Sequence, residues 1–500
     1  MRLLLAFAIS MIFFACKQSN MTAPPNPNGN QTLKTDSSTL HLAYAVGVTD
    51  SFTVISNTDW NITVTGASTS WLHLDKDSGS GNARIHLTAL NANLSDTALK
   101  VTLKISIKNN PAAPAVNLPI NQAPADLNDT SRNAYGGSGN DQFFNSTATA
   151  DGGFIAVGLT NSPDGDLQGT SGGGAVLVMR MDKQGKLVWK KKMGNTGYDI
   201  GFYIIPAPSG GYLVCGSSGA GSANGLIIKI DEAGNVEWQN TYNVVSGQNG
   251  LYVAMPTSDG GYLLGGDNGL VLKIDGNGNK LWGNSIPGGN NAIFSEVISP
   301  DNNYVMCGQT GYRNGDYWVI KLDTAGNLLW QKTYGGTGVE SLPFLTKSIA
   351  GGYIITGGSA SNDGDASANH GGTDCLVIKI DENGNKIWSK MFGGSNNDEG
   401  IYIAQTMDGH YIIAGSTSSS DGDINTINHG AGDGWVFEID ESGNLQWQKT
   451  FGGSGAEFIW NVNESSSGNF AIDGWSPSAD GDVVGQHGGY DGWLYRFKIN

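Results

Sequence analysis

Ala350-Gly351-Gly352-Tyr353-Ile354-Ile355-Thr356-Gly357, followed by Val377-Ile378-Lys379-Ile380-Asp381-Glu382-Asn383-Gly384-Asn385-Lys386-Ile387-Trp388, carries the pattern from which the architecture follows. Its opening turn recurs as Asp151-Gly152-Gly153-Phe154, Ser209-Gly210-Gly211-Tyr212, Asp259-Gly260-Gly261-Tyr262 and Asp301-Asn302-Asn303-Tyr304. Two further copies are Asp408-Gly409-His410-Tyr411 and Ser467-Gly468-Asn469-Phe470. The seven copies lie 58, 50, 42, 49, 58 and 59 residues apart. A second motif follows the first six: an aspartate, a glycine three later and a tryptophan four after that. Its instances are Asp182/Gly185/Trp189, Asp231/Gly234/Trp238, Asp275/Gly278/Trp282, Asp323/Gly326/Trp330, Asp381/Gly384/Trp388 and Asp440/Gly443/Trp447.

Each repeat reads as four strands. Strand a precedes the Asp-Gly-Gly turn, strand b follows it, strand c is of the Val377–Ile380 type, and strand d carries the tryptophan. Four antiparallel strands at this period form a propeller blade. Between c and d, Asp accepts local N–H bonds and Gly supplies positive φ. The seventh repeat stops at Arg496-Phe497-Lys498-Ile499-Asn500, after strand c. Asn133-Ala134-Tyr135-Gly136-Gly137-Ser138 matches the end of a strand d, so residues 133–138 are expected to close blade seven. Closure removes the sheet edges that invite aggregation. The expected fold is all-β: a small immunoglobulin-like β-sandwich over 36–122, then a seven-bladed β-propeller over 130–500.

Composition agrees. Glycine supplies 74 of 500 residues, which disfavours long helices, while 13 Trp, 17 Tyr and 16 Phe exclude extensive disorder. The net charge of −17 argues against nucleic acid as a partner. Cys215 and Cys307 occupy matching places in different repeats, too far apart to bridge; with Cys375 they read as buried small hydrophobes.

The chain opens with Met1-Arg2, an apolar run from Leu3 to Ala15, and Cys16. This is a secretory signal, too short to span a bilayer as a mature helix. Phe13-Phe14-Ala15-Cys16 resembles a relaxed bacterial lipobox, which implies a signal peptide over 1–15 and lipidation of Cys16. Residues 16–35 read as a polar tether. Over 36–122, alternation in Ser51–Ile55 and Lys100–Ile107 indicates half-buried strands, about seven in all.

Ser56-Asn57-Thr58-Asp59-Trp60, Trp71-Leu72, Ser78-Gly79-Ser80-Gly81 and Leu118-Pro119-Ile120-Asn121-Gln122 resemble the BACON domain of Bacteroidetes secreted proteins. The resemblance implies a carbohydrate context, with Trp60 and Trp71 as sugar platforms or core residues and the domain as binder or spacer. The later repeats resemble Bacteroidetes lipoprotein propellers and, distantly, the tryptophan-docking repeat of quinoprotein propellers. That family's quinone-binding residues are not evident, the turn is one residue shorter, and there are seven repeats against its usual eight.

In propellers the d–a and b–c loops share one face. Ten residues before each Asp-Gly-Gly start stand Asp141, Asp199, Asn249, Asn291, Glu340, Asp398 and Glu457. They form either an acidic mouth, with Asp398 and Glu457 as ligand-binding candidates, or a set of loop-stabilising side chains, which sevenfold recurrence favours. In four repeats a long b–c loop carries Asp164-Gly165-Asp166, Asp363-Gly364-Asp365, Asp421-Gly422-Asp423 and Asp480-Gly481-Asp482. Paired aspartates around glycine suit calcium, the one cofactor the sequence suggests, or serve as backbone-satisfying turns. His370, His429 and His487 follow three of these turns and read as loop-packing residues. Trp435 and Trp493 follow Asp-Gly at the start of strand c and suit either sugar stacking or blade packing. Trp460 and Trp475 fall outside the repeated pattern, which marks them for a special role.

The expectation is an outer-membrane lipoprotein, periplasmic or cell-surface, whose propeller binds a glycan or an envelope or extracellular protein without catalysis, as a monomer. The alternatives are a propeller glycosidase or lyase, for which no unique acid stands out, and an envelope-assembly scaffold.

Overall fold

The computed structural model describes residues 31–499 except 43–48, 67–68, 91–98, 111, 123–126, 168–173, 195–197, 220–223, 245–248, 288–290, 312–314 and 466–468. The expected signal peptide, Cys16 and most of the expected tether lie outside the described residues. No helix among the described residues is long and apolar enough to cross a membrane.

Up to Gln122 the strands form one sheet of four and one of five. Alternation does the work: in Leu99–Ile107, Val101, Leu103, Ile105 and Ile107 are buried while the residues between face outward. Nine strands are present among the described residues rather than about seven. The additional ones include Leu33–Thr35, Leu40–Leu42, Leu72–Leu74 and Ser78–Ser80, each of three residues and too short to show alternation. Trp60 and Trp71 are core residues, 0% and 2% exposed, and the Trp60 indole donates to the Gly81 carbonyl at 2.9 Å. The sugar-platform reading of these two is thereby corrected.

From Leu127 onward the described residues form seven four-stranded antiparallel sheets. In the first six, strands run in chain order from the innermost, a, to the outermost, d. The innermost strands are Asp141–Ala148, Asp199–Pro206, Leu251–Pro256, Ala292–Ile298, Glu340–Lys347, Asp398–Gln405 and Phe458–Glu464. Each packs against the next, and the first packs against the seventh, so the sheets form a closed ring.

The repeat signature holds neighbouring blades together. Asp381 Oδ1 accepts the N–H groups of Asn383 and Asn385 at 2.8 Å, fixing the c–d turn, and Gly384 takes φ +75°. On that glycine lies Trp330 of the preceding blade: a Cβ on Gly384 would stand 3.1 Å from its ring. The Asp-x-x-Gly and the tryptophan four residues on thus belong to two different contacts. Glycine receives the previous blade's indole, and tryptophan docks on the next blade's glycine.

The seventh sheet takes its strand d from Leu127–Tyr135, paired with Asp491–Ile499 from Leu127↔Ile499 to Tyr135↔Gly492. The closing strand therefore starts six residues before 133 and ends at Tyr135, not Ser138. At Gly136, just past the strand, an added Cβ would collide with the Asp491 and Asp141 carboxylates. The Tyr135 hydroxyl donates to the Gly185 carbonyl, the contact Tyr334 makes with Gly384 one blade further on.

Candidate functional site

The loop face is built on carboxylates, but their work is structural. Asp398 is fully buried; it accepts from the Thr417 and Ser419 hydroxyls and from Gly394 N–H, the last two at 2.7 Å. Glu457, 2% exposed, repeats this with Ser476, Ser478 and Gly453. Neither faces solvent, so neither belongs to an acidic binding mouth.

The Asp-Gly-Asp turns clamp the connection entering their own blade. Asp164, Asp363, Asp421 and Asp480 accept N–H bonds of 2.7–2.8 Å from Ser138, Thr337, Ser395 and Ser454. Asp166, Asp365, Asp423 and Asp482 accept from Gly136, Gly335, Gly393 and Gly452 at 3.1–3.4 Å. Both carboxylates of each pair thus accept backbone N–H groups, as the backbone-satisfying alternative to calcium requires. The histidines tie down their own loops: His370 Nδ1 lies 3.0 Å from Asp374 Oδ2 of its own blade, and its Nε2 3.9 Å from Asp423 of the next. His429 and His487 repeat the first contact with Asp433 and Asp491. Burial pushes the carboxyls of Asp374, Asp433 and Asp491 up, and the histidines partly offset this.

Trp435 and Trp493 are 0% exposed. Trp435 stacks on Phe437 at 4.1 Å and donates to Gln448 Oε1, so both leave the list of ligand platforms for the blade cores. Trp475 is half-buried, stacked on Phe458 at 5.8 Å with Tyr490 against its edge.

Trp460 is different. Every innermost strand carries a register break that spans the third residue after the recurrent polar position. It falls between Phe143 and Asn145, Gly201 and Tyr203, Leu251 and Val253, Ile293 and Ser295, and Ile459 and Asn461. A bulge re-aims the residue it extrudes. The extruded residues are Phe144, Phe202, Tyr252, Phe294 and Trp460, and all line an axial pocket of about 480 Å³. Around the ring, Trp460–Phe144, Phe144–Phe202, Phe202–Tyr252 and Tyr252–Phe294 have centroids 5.9, 5.6, 5.0 and 5.6 Å apart. In the fifth and sixth blades the breaks extrude Leu342-Pro343 and Ile401 instead, and Phe344 and Tyr402 complete that side, 5.4 Å apart. Leu342, at φ +47°, holds a conformation uncommon for a non-glycine residue.

The remaining lining is polar and sparse: Asn145, Gln309, Ser341 and Glu399, with Tyr203 and Tyr402, which bond to each other. Burial raises the Glu399 carboxyl from its ordinary value, with no donor or cation among the described residues to counter it. An aromatic pocket with a few convergent polar groups and a perturbed acid is the usual form of a ligand site.

Of the residues singled out in sequence, the structure brings only Trp460 into this pocket. The collar and Glu399 carried a legible signal nonetheless. Three places after the recurrent polar residue stand Phe144, Phe202, Tyr252, Phe294 and Trp460. One place after it stand Gln142, Ile200, Gly250, Ala292, Ser341, Glu399 and Phe458, with a single acid among seven.

Seven blades closed around an aromatic axial pocket define a β-propeller with a ligand-sized site. The chain belongs to the family described as outer membrane protein assembly factor BamB, which matches residues 172–422, or 251 of its 500 residues. Regulatory protein FlaEY of Caulobacter vibrioides is 27% identical over 191 residues, covering 35% of this chain. The match spans a fifth of FlaEY's own length. Among solved structures the chain is similar to a streptogramin B lyase (TM-score 0.47, 10% identity, 75% of this chain and 98% of that one). It is also similar to the Dos1 propeller (0.44, 11%, 93% and 95%) and to the Neurospora crassa Pan2 WD40 domain (0.45, 12%, 75% and 96%).

Proposed function

We propose that this propeller is a non-enzymatic binding module that takes the end of a glycan into its axial pocket. In this reading it is held at the outer membrane by a lipid on Cys16, with the sandwich as spacer. The observation that carries the reading is the aromatic collar from Trp460 to Phe294 with few polar groups between the rings. Sugar rings stack their apolar faces on aromatics while their hydroxyls meet amide, hydroxyl and carboxylate groups such as those of Gln309, Ser341 and Glu399. The lipobox-like Phe13-Phe14-Ala15-Cys16 and the family's outer-membrane description support the location. The BACON-like residues support a carbohydrate context.

A second reading, a scaffold in envelope assembly with a protein partner, is favoured by the family description. A glycan array probed with the mature chain separates the two. Binding lost in Trp460→Ala and kept in Asp423→Ala, whose carboxylate lies on a loop outside the pocket, supports the glycan reading. No binding to any glycan overturns it. Shortening of a bound polysaccharide overturns the non-enzymatic part.

A further inference from the structure

Resting on the axial pocket as the binding site, we infer that its ligand carries a protonated amine, recognised by the carboxylate of Glu399 within the aromatic collar.

Three observations carry this. First, Glu399 is not part of the repeat's scaffolding. The neighbouring acid Asp398 is consumed by Thr417, Ser419 and Gly394, whereas no donor or cation among the described residues faces the Glu399 carboxyl. A half-buried carboxylate that lines an aromatic pocket without a partner carries a desolvation cost, and that cost is relieved when a positive group arrives. Six of the seven equivalent positions carry no acid, so nothing in blade construction requires one here.

Second, the walls are of one electrostatic kind. Five contiguous aromatic rings line one side of the pocket and Phe344 and Tyr402 the other, and among the described residues no lysine, arginine or histidine lines it. Aromatic rings attract cations through the negative potential of their faces, most strongly where water is displaced. Gln309, Ser341 and Asn145 supply neutral hydrogen-bonding groups suited to hydroxyls beside the amine.

Third, four buried lysines of the blades are occupied elsewhere. On strand c, Lys229, Lys273, Lys321 and Lys379 are paired with Glu237, Asp259, Asp301 and Glu441. The formal charge of −17 adds a long-range pull on a cationic ligand.

The ligand class is therefore an amine-bearing saccharide rather than a neutral or acidic one. The test is calorimetric titration of the full mature chain with the glucosamine trimer and, separately, the N-acetylglucosamine trimer, which differ in the charge on nitrogen. The free amine is expected to bind about tenfold tighter, and Glu399→Gln, nearly the same in shape, to bring the two within about twofold. Equal affinities in the wild-type chain, both lost in Trp460→Ala, overturn the inference and leave the glycan reading standing. Binding of neither trimer overturns the inference, while the glycan array judges the wider reading. A preference that persists unchanged in Glu399→Gln also overturns it, since the discriminating charge then lies elsewhere.

Discussion

Phe144 in the first blade and Trp460 in the seventh place their ring centroids 5.9 Å apart, so the aromatic collar runs unbroken across the point where the ring closes. The pocket therefore depends on that closure, and closure depends on a strand that precedes the first repeat by sequence and completes the last by hydrogen bonding.

Deleting residues 127–135 leaves the strand Asp491–Ile499 as an exposed edge. Unpaired edges recruit other chains. The deletion is expected to lower Tm by roughly 10 °C and to give oligomers on size-exclusion chromatography with light scattering. A monomer with unchanged Tm would show that blade seven closes by other means.

Gly384→Ala tests tryptophan docking. The position needs positive φ, and an added Cβ meets the Trp330 ring at 3.1 Å. The left-handed conformation alone costs about 1–2 kcal/mol for an alanine, so a loss of about 2 kcal/mol is expected in denaturant unfolding. A change below about 0.5 kcal/mol contradicts the docking account.

The loop-face carboxylates are latches, so stability should depend on them and not on calcium. Asp398→Ala leaves the buried Thr417 and Ser419 hydroxyls without their acceptor and is expected to cost about 2–3 kcal/mol. A calcium chelator should leave Tm unchanged. A drop of several degrees on chelation, reversed by added calcium, would restore the metal reading.

Asp473 gives the pH dependence. It sits where blades one and seven meet, fully buried, accepting from Ser146 and Asn461, and burial pushes its carboxyl up to about 7. The folded state thus holds a proton that the unfolded chain has released above about pH 4. Stability from this group is full at low pH and is lost as pH rises from about 4 through 7, by roughly 3–4 kcal/mol. Asp473→Asn should flatten that slope and be more stable than the wild-type chain at pH 8. A variant less stable at pH 8 than at pH 5 by the wild-type margin would show that another group is responsible.

Blade count and strand order were legible because each turn demands particular chemistry. Asp381 must accept two backbone N–H bonds and Gly384 must be bare, so both leave a fixed spacing. The closing strand's start was not legible: its first residues carry no turn and no docking tryptophan. The site was hidden for a related reason. Trp460 stood out as an unrepeated tryptophan, but its partners are phenylalanines and a tyrosine that read as ordinary strand residues until the bulge turns them inward. Carboxylates drew attention by recurring, and recurrence marked them as scaffolding. Glu399 is informative for the opposite reason, occurring once among seven equivalent places.

The most direct test of the central claim is the response of the Trp460 indole N–H in a nitrogen-15 spectrum, identified by its disappearance in Trp460→Phe, as the best glycan from the array is added. The account predicts a saturable shift of that signal, with those of the buried Trp435 and Trp493 unmoved. Binding that leaves the Trp460 signal in place and moves only tryptophans outside the axial pocket would contradict it.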